Sequence, residues 1–143
     1  MGRLQDKRLF LLDMDGHIYL DDRLFDGVTA FLSRIREKGG RYLFLTNNSS
    51  KGVEGYIEKL NGMGIATGRE DYLTSVDAAI DLLRRRYPGR RCYVQGTRSF
   101  YDQLAAAGIP VTCDREDGAE ILLSGFDREL TFQKLEDACI LLN

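Results

Sequence analysis

The stretch LFLLDMDGHIYLDD, residues 9–22, begins as an apolar strand and then stops on two aspartates, Asp13 and Asp15, with Gly16 directly behind them. Four apolar residues in a row suit a strand covered on both faces, as in a parallel α/β sheet. In such sheets ligands sit beyond the carboxyl ends of the strands, which is where Asp13 and Asp15 fall. Side chains alternate along an extended segment, so the two aspartates share a parity and can converge on one ligand. Two carboxylates about 4 Å apart repel by ~4 kcal/mol at an effective dielectric of 20, so the pair calls for a cation beside it. Mg²⁺, which binds through one or two carboxylates, water and phosphate oxygens, suits that donor set. Against this stands the plainer reading of two turn residues before a glycine, which a lone D-x-D-G favours.

Working outward, the chain alternates short apolar runs with helical patterns, the signature of β-α-β units and a parallel sheet. HIYLDDRLF (17–25) reads as two short strands around Asp21 and Asp22, a small hairpin. Val28, Phe31, Leu32 and Ile35 follow at helical spacing, and Gly39 with Gly40 supplies the stop. RYLFL (41–45) reads as the second parallel strand, and TNNSSK (46–51) leads into a helix carrying Val53, Tyr56, Ile57 and Leu60. Beyond it the spacing predicts a helix over 75–86, a strand at RCYVQG (91–96) and a helix at SFYDQLAAAG (99–108). Strands at IPVTC (109–113) and EILLSG (120–125) and a helix from Thr131 complete the pattern. The turn-like ATGREDYLTS (66–75) is the best candidate for a domain boundary.

Thr46, Asn47 and Asn48 stand at the end of the second strand as Asp13 and Asp15 do at the end of the first. A hydroxyl, two amides and the free N–H groups of a following helix attract an anion. Asn48 or Ser49 would cap that helix, which is compatible with phosphate because both use the same helix end.

Composition bounds the function. The chain has 143 residues, 43% of them hydrophobic and 29% charged, which suits a folded domain with an ordinary core. A formal net charge of -2 leaves no basic stripe for nucleic acid, and the RRRYPGRR cluster (84–91) is offset by surrounding acids. The first ten residues hold no apolar run of signal length, and nothing approaches the roughly 18 apolar residues of a membrane helix, so a cytoplasmic setting is expected. Cys92, Cys113 and Cys139 are odd in number and widely spaced, as reduced structural thiols would be.

LDMDGHIYLDD followed by FLTNNSSK resembles motifs I and II of the haloacid dehalogenase-like phosphatase superfamily, in the wording of its NagD-type, p-nitrophenyl phosphatase-like branch. YLTSVDAAIDLL, CYVQGT and ILLSGFDRELTFQKLEDA are similar to the start of that branch's inserted cap. The resemblance implies an α/β, Rossmann-like parallel-sheet core over residues 1–74, with motifs I and II, and the first part of an α/β cap over 75–143. It implies a Mg²⁺-dependent phosphomonoester hydrolase acting on a small phosphorylated metabolite, with neither nucleic acid nor membrane as partner, and with association through the cap open. Asp13 would attack phosphorus and form an aspartyl-phosphate. Asp15 would protonate the leaving oxygen and later help water cleave the intermediate. The Asp13 carboxylate and the Asp15 carbonyl would ligate Mg²⁺, and Thr46 with the N–H of Asn47 would hold the transferring group. The hairpin at 17–25 would be the flap that admits substrate and excludes water.

Two departures stand out. The family usually has Thr or another small residue where this chain has His17, its one histidine, read here as a tolerated substitution at the flap base that could nonetheless crowd the nucleophile or alter the pH response. The family's later motifs, a lysine and an acidic pair beyond the cap, are missing, and Lys51, Asp71 and Asp77 match them poorly. Low or no turnover by this chain alone is therefore expected. Two further readings remain. A phosphoacceptor receiver domain would need an acceptor aspartate that LFLTNN lacks, whereas a non-catalytic metal- or phosphate-binding remnant would show the same motifs.

Overall fold

Strand β1 (Leu9–Asp13) lies parallel to β4 (Arg41–Thr46), with Asp13 opposite Leu45. Between them come the two strands of an antiparallel hairpin, β2 (Tyr19–Leu20) and β3 (Arg23–Leu24), and helix α1 (Val28–Glu37). The hairpin turns at Asp21, whose φ of 51° lies in the left-handed region that aspartate tolerates better than most side chains. Helix α1 buries Val28, Leu32 and Ile35, the residues its spacing predicts. It stops at Gly39 (φ 68°): the N–H groups of Gly39 and Gly40 bond to the carbonyls of Arg36 and Ile35, which satisfies the last turn.

The computed structural model describes residues 3–143, the Gln5 side chain excepted. The described chain forms two compact units. One holds the residues up to Thr46 together with Val53–Leu73; the other holds Asn47–Gly52 together with Thr74–Asn143. Helix α2 (Val53–Gly62) belongs to the first, and β5 (Tyr72–Thr74) completes a sheet of order β1-β4-β5. The core of this unit is aromatic. Phe44, fully buried on β4, has ring neighbours Tyr42 at 5.2 Å and Tyr72 at 5.5 Å, and Met14 and Leu60 are buried completely beside the same cluster.

The second unit repeats the grammar with aliphatic filling. Helix α3 (Ser75–Arg86), β6 (Cys92–Gln95), α4 (Arg98–Ala106), β7 (Val111–Thr112), β8 (Ile121–Ser124) and α5 (Phe132–Leu141) surround a parallel sheet of order β7-β6-β8. All four residues of the central β6 are buried, and Val76, Leu83, Cys92, Val94, Phe100 and Leu104 form the core. Threonines cap all three helices: Thr74, Thr97 and Thr131 accept hydrogen bonds from the N–H groups of Asp77, Phe100 and Lys134.

Three sequence expectations are corrected. Strand β1 is not covered on both faces: Leu9 and Leu11 are 56% and 57% exposed, because the described residues leave that face open. Tyr72–Thr74 is a strand inside the stretch read as a boundary turn; a short 3₁₀ turn at Arg69–Asp71 precedes it and masks three extended residues. Asn48 and Ser49 do not cap α2, which starts only at Val53; Asn48 Oδ1 instead accepts from the Ser50 N–H (2.9 Å) and the Ser50 hydroxyl (2.6 Å), an Asx turn. No helix of the described residues is long and apolar enough to cross a membrane.

Candidate active site

The pairing of β1 with β4 sets the strand ends that carry the candidate residues. In register, Asp13 faces Leu45, so Thr46 ends β4 one residue beyond the level at which Asp13 ends β1. Asp13 is exposed, while Met14 behind it is fully buried and anchors the turn. That turn is tight: the N–H groups of His17 and Ile18 both donate to the Met14 carbonyl, at 3.2 and 2.9 Å, and the Gly16 N–H donates to the Tyr19 carbonyl at 2.8 Å. Gly16 holds a φ of 78°, which a side chain would strain. The residue after Asp15 is therefore fixed as glycine by the backbone, whatever chemistry the carboxylate performs.

Around Asp13 the hydrogen bonds are local. Oδ1 accepts from the Met14 N–H at 2.9 Å, and Oδ2 lies 3.3 Å from His17 Nδ1. The same imidazole nitrogen stands 3.4 Å from the Asp15 carbonyl oxygen. His17 thus touches both oxygens that the resemblance gives to the metal, the crowding of the nucleophile that its place beside the motif allows for. The i, i+4 spacing from Asp13 across a glycine turn was the one signal in the sequence. A shallow cleft flanks the pair, lined by Leu11, Asp13, His17, Phe25 and Phe31.

Asp15 stands close enough to the buried Tyr19 phenol for its charge to act on it. Burial, then the charge of Asp15, pushes that phenol far above its ordinary range, so it stays protonated. Lys59 Nζ lies 4.1 Å over the Tyr19 ring and 3.6 Å from Asp22, tying α2 to the hairpin. Thr46 is buried and its hydroxyl donates to the Tyr56 hydroxyl at 3.4 Å. Tyr56 in turn offers its carbonyl to Tyr72, whose phenol burial raises to about 12.

Asn47, the next residue along the chain from Thr46, falls in the second unit. Its carbonyl accepts from the Ser75 hydroxyl at 3.2 Å. Asp77 and Asp71, weak matches to the missing acidic motif, serve local structure. Asp77 Oδ2 accepts from the Thr74 N–H and hydroxyl, both at 2.9 Å, in the cap of α3, and Asp71 accepts from the Gly68 N–H and lies 3.9 Å from Arg36.

The donors present for a cation are hard oxygens, the Asp13 carboxylate and the Asp15 carbonyl, which suits Mg²⁺ and not a thiophilic metal. Among the described residues no group of three His, Cys, Asp or Glu side chains forms a fuller cage. The set therefore fits Mg²⁺ as a partial one, to be completed by water and substrate oxygens.

The sequence model of the haloacid dehalogenase-like hydrolases matches residues 10–110. The acid sugar phosphatase of Staphylococcus aureus strain USA300 is 30% identical over 137 residues, 96% of this chain and 52% of that protein. The crystal structure of 4-nitrophenylphosphatase from Thermotoga maritima is 37% identical with a TM-score of 0.88, over 96% of this chain and 52% of that one. Glycerol phosphate phosphatase from Mycobacterium tuberculosis, in complex with magnesium, is 27% identical with a TM-score of 0.86, over 96% and 42%. The chain spans about half the length of the curated relatives it matches.

Proposed function

The chain belongs to the haloacid dehalogenase-like hydrolase family, and from that premise we propose that it carries the nucleophile and part of the phosphate site of a Mg²⁺-dependent phosphomonoester hydrolase. The observation behind this reading is the exposed Asp13 at the carboxyl end of β1, parallel to a β4 that ends in Thr46, with Asp15 held two residues on by a turn that demands Gly16. Asp13 attacks phosphorus and forms an aspartyl-phosphate; a carboxylate is ionised near neutral pH and divides one hard displacement into two easier ones. Asp15 gives its proton to the leaving oxygen and then takes one from the water that cleaves the acyl phosphate. The Tyr19 phenol, kept protonated by burial, stands near Asp15. Thr46 and the peptide N–H of Asn47 orient the phosphoryl oxygens. The Asp13 carboxylate and the Asp15 carbonyl would hold Mg²⁺, whose charge would lower the repulsion between carboxylate and phosphate.

The substrate class is a small phosphomonoester; the relatives named for sugar phosphate, nitrophenyl phosphate and glycerol phosphate hydrolysis support that breadth. Residues 1–74 serve as the core and 75–143 as the first part of a cap that selects the substrate. The free cysteines Cys92, Cys113 and Cys139 agree with a cytoplasmic setting. A second reading, a metal- and phosphate-binding remnant without turnover, draws on the absence of a fuller ligand cage among the described residues. Phosphate release from p-nitrophenyl phosphate, with Mg²⁺ or EDTA and beside Asp13→Asn, separates the two. Slow release that needs both Mg²⁺ and Asp13 supports the hydrolase, Mg²⁺-dependent phosphate binding without release supports the remnant, and release indifferent to both overturns the assignment of Asp13.

A further inference from the structure

The segment Asn47–Gly52, which follows the last residue of β4, is built into the unit that contains residues 74–143. Three hydrogen bonds hold it there. The Ser75 hydroxyl, at the first residue of α3, donates to the Asn47 carbonyl at 3.2 Å. Ser49 Oγ accepts from the Phe126 N–H at 2.9 Å, and the Thr97 hydroxyl donates to the Ser50 carbonyl at 3.3 Å. Thr97 uses its one hydroxyl twice, because its oxygen also accepts from the Phe100 N–H as the cap of α4.

The fit around these bonds is close. Ser49, Ser50 and Thr97 are all buried, although connecting segments ordinarily run over the surface. A Cβ on Gly125 would stand 2.6 Å from Ser49 Oγ and 2.8 Å from the Phe100 ring, so glycine alone lets the turn after β8 approach the serine. The partners lie 28, 47 and 77 residues apart in the chain, so none of these bonds forms without the folding of the second unit.

We propose that Ser49, Ser75 and Thr97 are positioning residues: their hydroxyls clasp the Asn47–Gly52 segment to the 74–143 unit, which thereby sets the peptide of Asn47 that meets the phosphoryl group. The proposal rests on the functional reading of Asn47 given above.

The test uses this chain and four variants: Thr97→Val, Thr97→Ser, Ser75→Ala and Gly125→Ala. Amide hydrogen exchange is followed over residues 47–52 and over β1, and inorganic phosphate is titrated in the presence of Mg²⁺. Losing one buried hydrogen bond speeds exchange of 47–52 by about tenfold in Thr97→Val and Gly125→Ala, with β1 unchanged. Phosphate affinity falls by a similar order in both, and Thr97→Ser, which keeps the hydroxyl, restores both readouts. Ser75→Ala leaves the Thr74 cap of α3 in place and supplies a folded variant if Thr97→Val unfolds α4. Unchanged exchange in all the clasp variants overturns the clasp and leaves the functional reading standing. Faster exchange with unchanged phosphate affinity overturns the positioning role. No saturable phosphate binding by the wild-type chain overturns the functional reading, and the positioning role with it, even where the segment is protected.

Discussion

Strand β1 of the first unit and strand β6 of the second both end in polar residues, yet the two ends are spent differently. Strand β1 ends on Asp13, with Asp15 two residues on, both exposed; Asp13 meets the neighbouring Met14 N–H and the exposed imidazole of His17. After β6 come Gly96 and Thr97, buried, with Thr97 committed to a helix cap and to the Ser50 carbonyl. The charged group near that end is equally committed: Lys134 Nζ donates to the Gly96 carbonyl (2.8 Å), to the Glu129 carbonyl (3.1 Å) and to Asp127, whose side chain is 2% exposed. Polar atoms at the end of β6 are satisfied within the fold, whereas those at the end of β1 are held in place but left open. An open strand end suits chemistry and a satisfied one suits scaffolding, which supports the proposed place of the nucleophile at the end of β1.

The comparison can be broken by mutation. Phe44→Ala, which empties the centre of the aromatic cluster, should cost about 3–5 kcal/mol in urea denaturation, the largest effect expected in the first unit. Asp127→Ala should cost ~3 kcal/mol, because it leaves Lys134 short of its one carboxylate in a mostly buried position. Asp13→Asn, an equally simple loss of a carboxylate, should change stability by no more than ~0.5 kcal/mol while removing function, since the group is exposed. Equal costs for Asp127→Ala and Asp13→Asn would erase the distinction between scaffold and site.

A pH experiment sharpens the contrast between cores. The folded Tyr72 phenol is raised to about 12, against ~10 in an unfolded chain. Between those values the unfolded state loses its proton first, so Tyr72 adds stability below pH 10 that declines as pH rises towards 12. Tyr72→Phe should therefore flatten the fall in stability over pH 10–12, read by urea midpoints at each pH. The smallest effect concerns His17: its imidazole occupies the Asp13 and Asp15 oxygens assigned to the cation, so His17→Thr should tighten Mg²⁺ binding by about two- to fivefold, the worth of one exposed contact. Calorimetric titration of Mg²⁺ into both chains measures it.

Much of this was legible beforehand. The apolar runs at 9–12 and 41–45 name both parallel strands, the spacing of Val28, Leu32 and Ile35 names the buried face of α1, and LDMDG points to the site. What escaped was non-local. An apolar strand does not say whether both its faces are covered, and Leu9 and Leu11 are open. Three extended residues behind a 3₁₀ turn leave no periodicity to count, so Tyr72–Thr74 was hidden. The bonds that draw Asn47–Gly52 into the second unit join residues far apart in sequence, and no local pattern of Ser and Thr distinguishes them from a helix cap. His17 was legible in part: its place beside the motif says that it can crowd Asp13, but not that one ring nitrogen meets two oxygens.

The central claim is that Asp13 accepts the phosphoryl group, and it can be tested without waiting for turnover. Beryllium trifluoride mimics a phosphoryl group on a carboxylate, so fluorine NMR of the chain with beryllium fluoride should show a bound signal that appears on adding Mg²⁺ and is absent from Asp13→Asn. No bound signal in the wild-type chain, or the same signal in Asp13→Asn, would contradict the account.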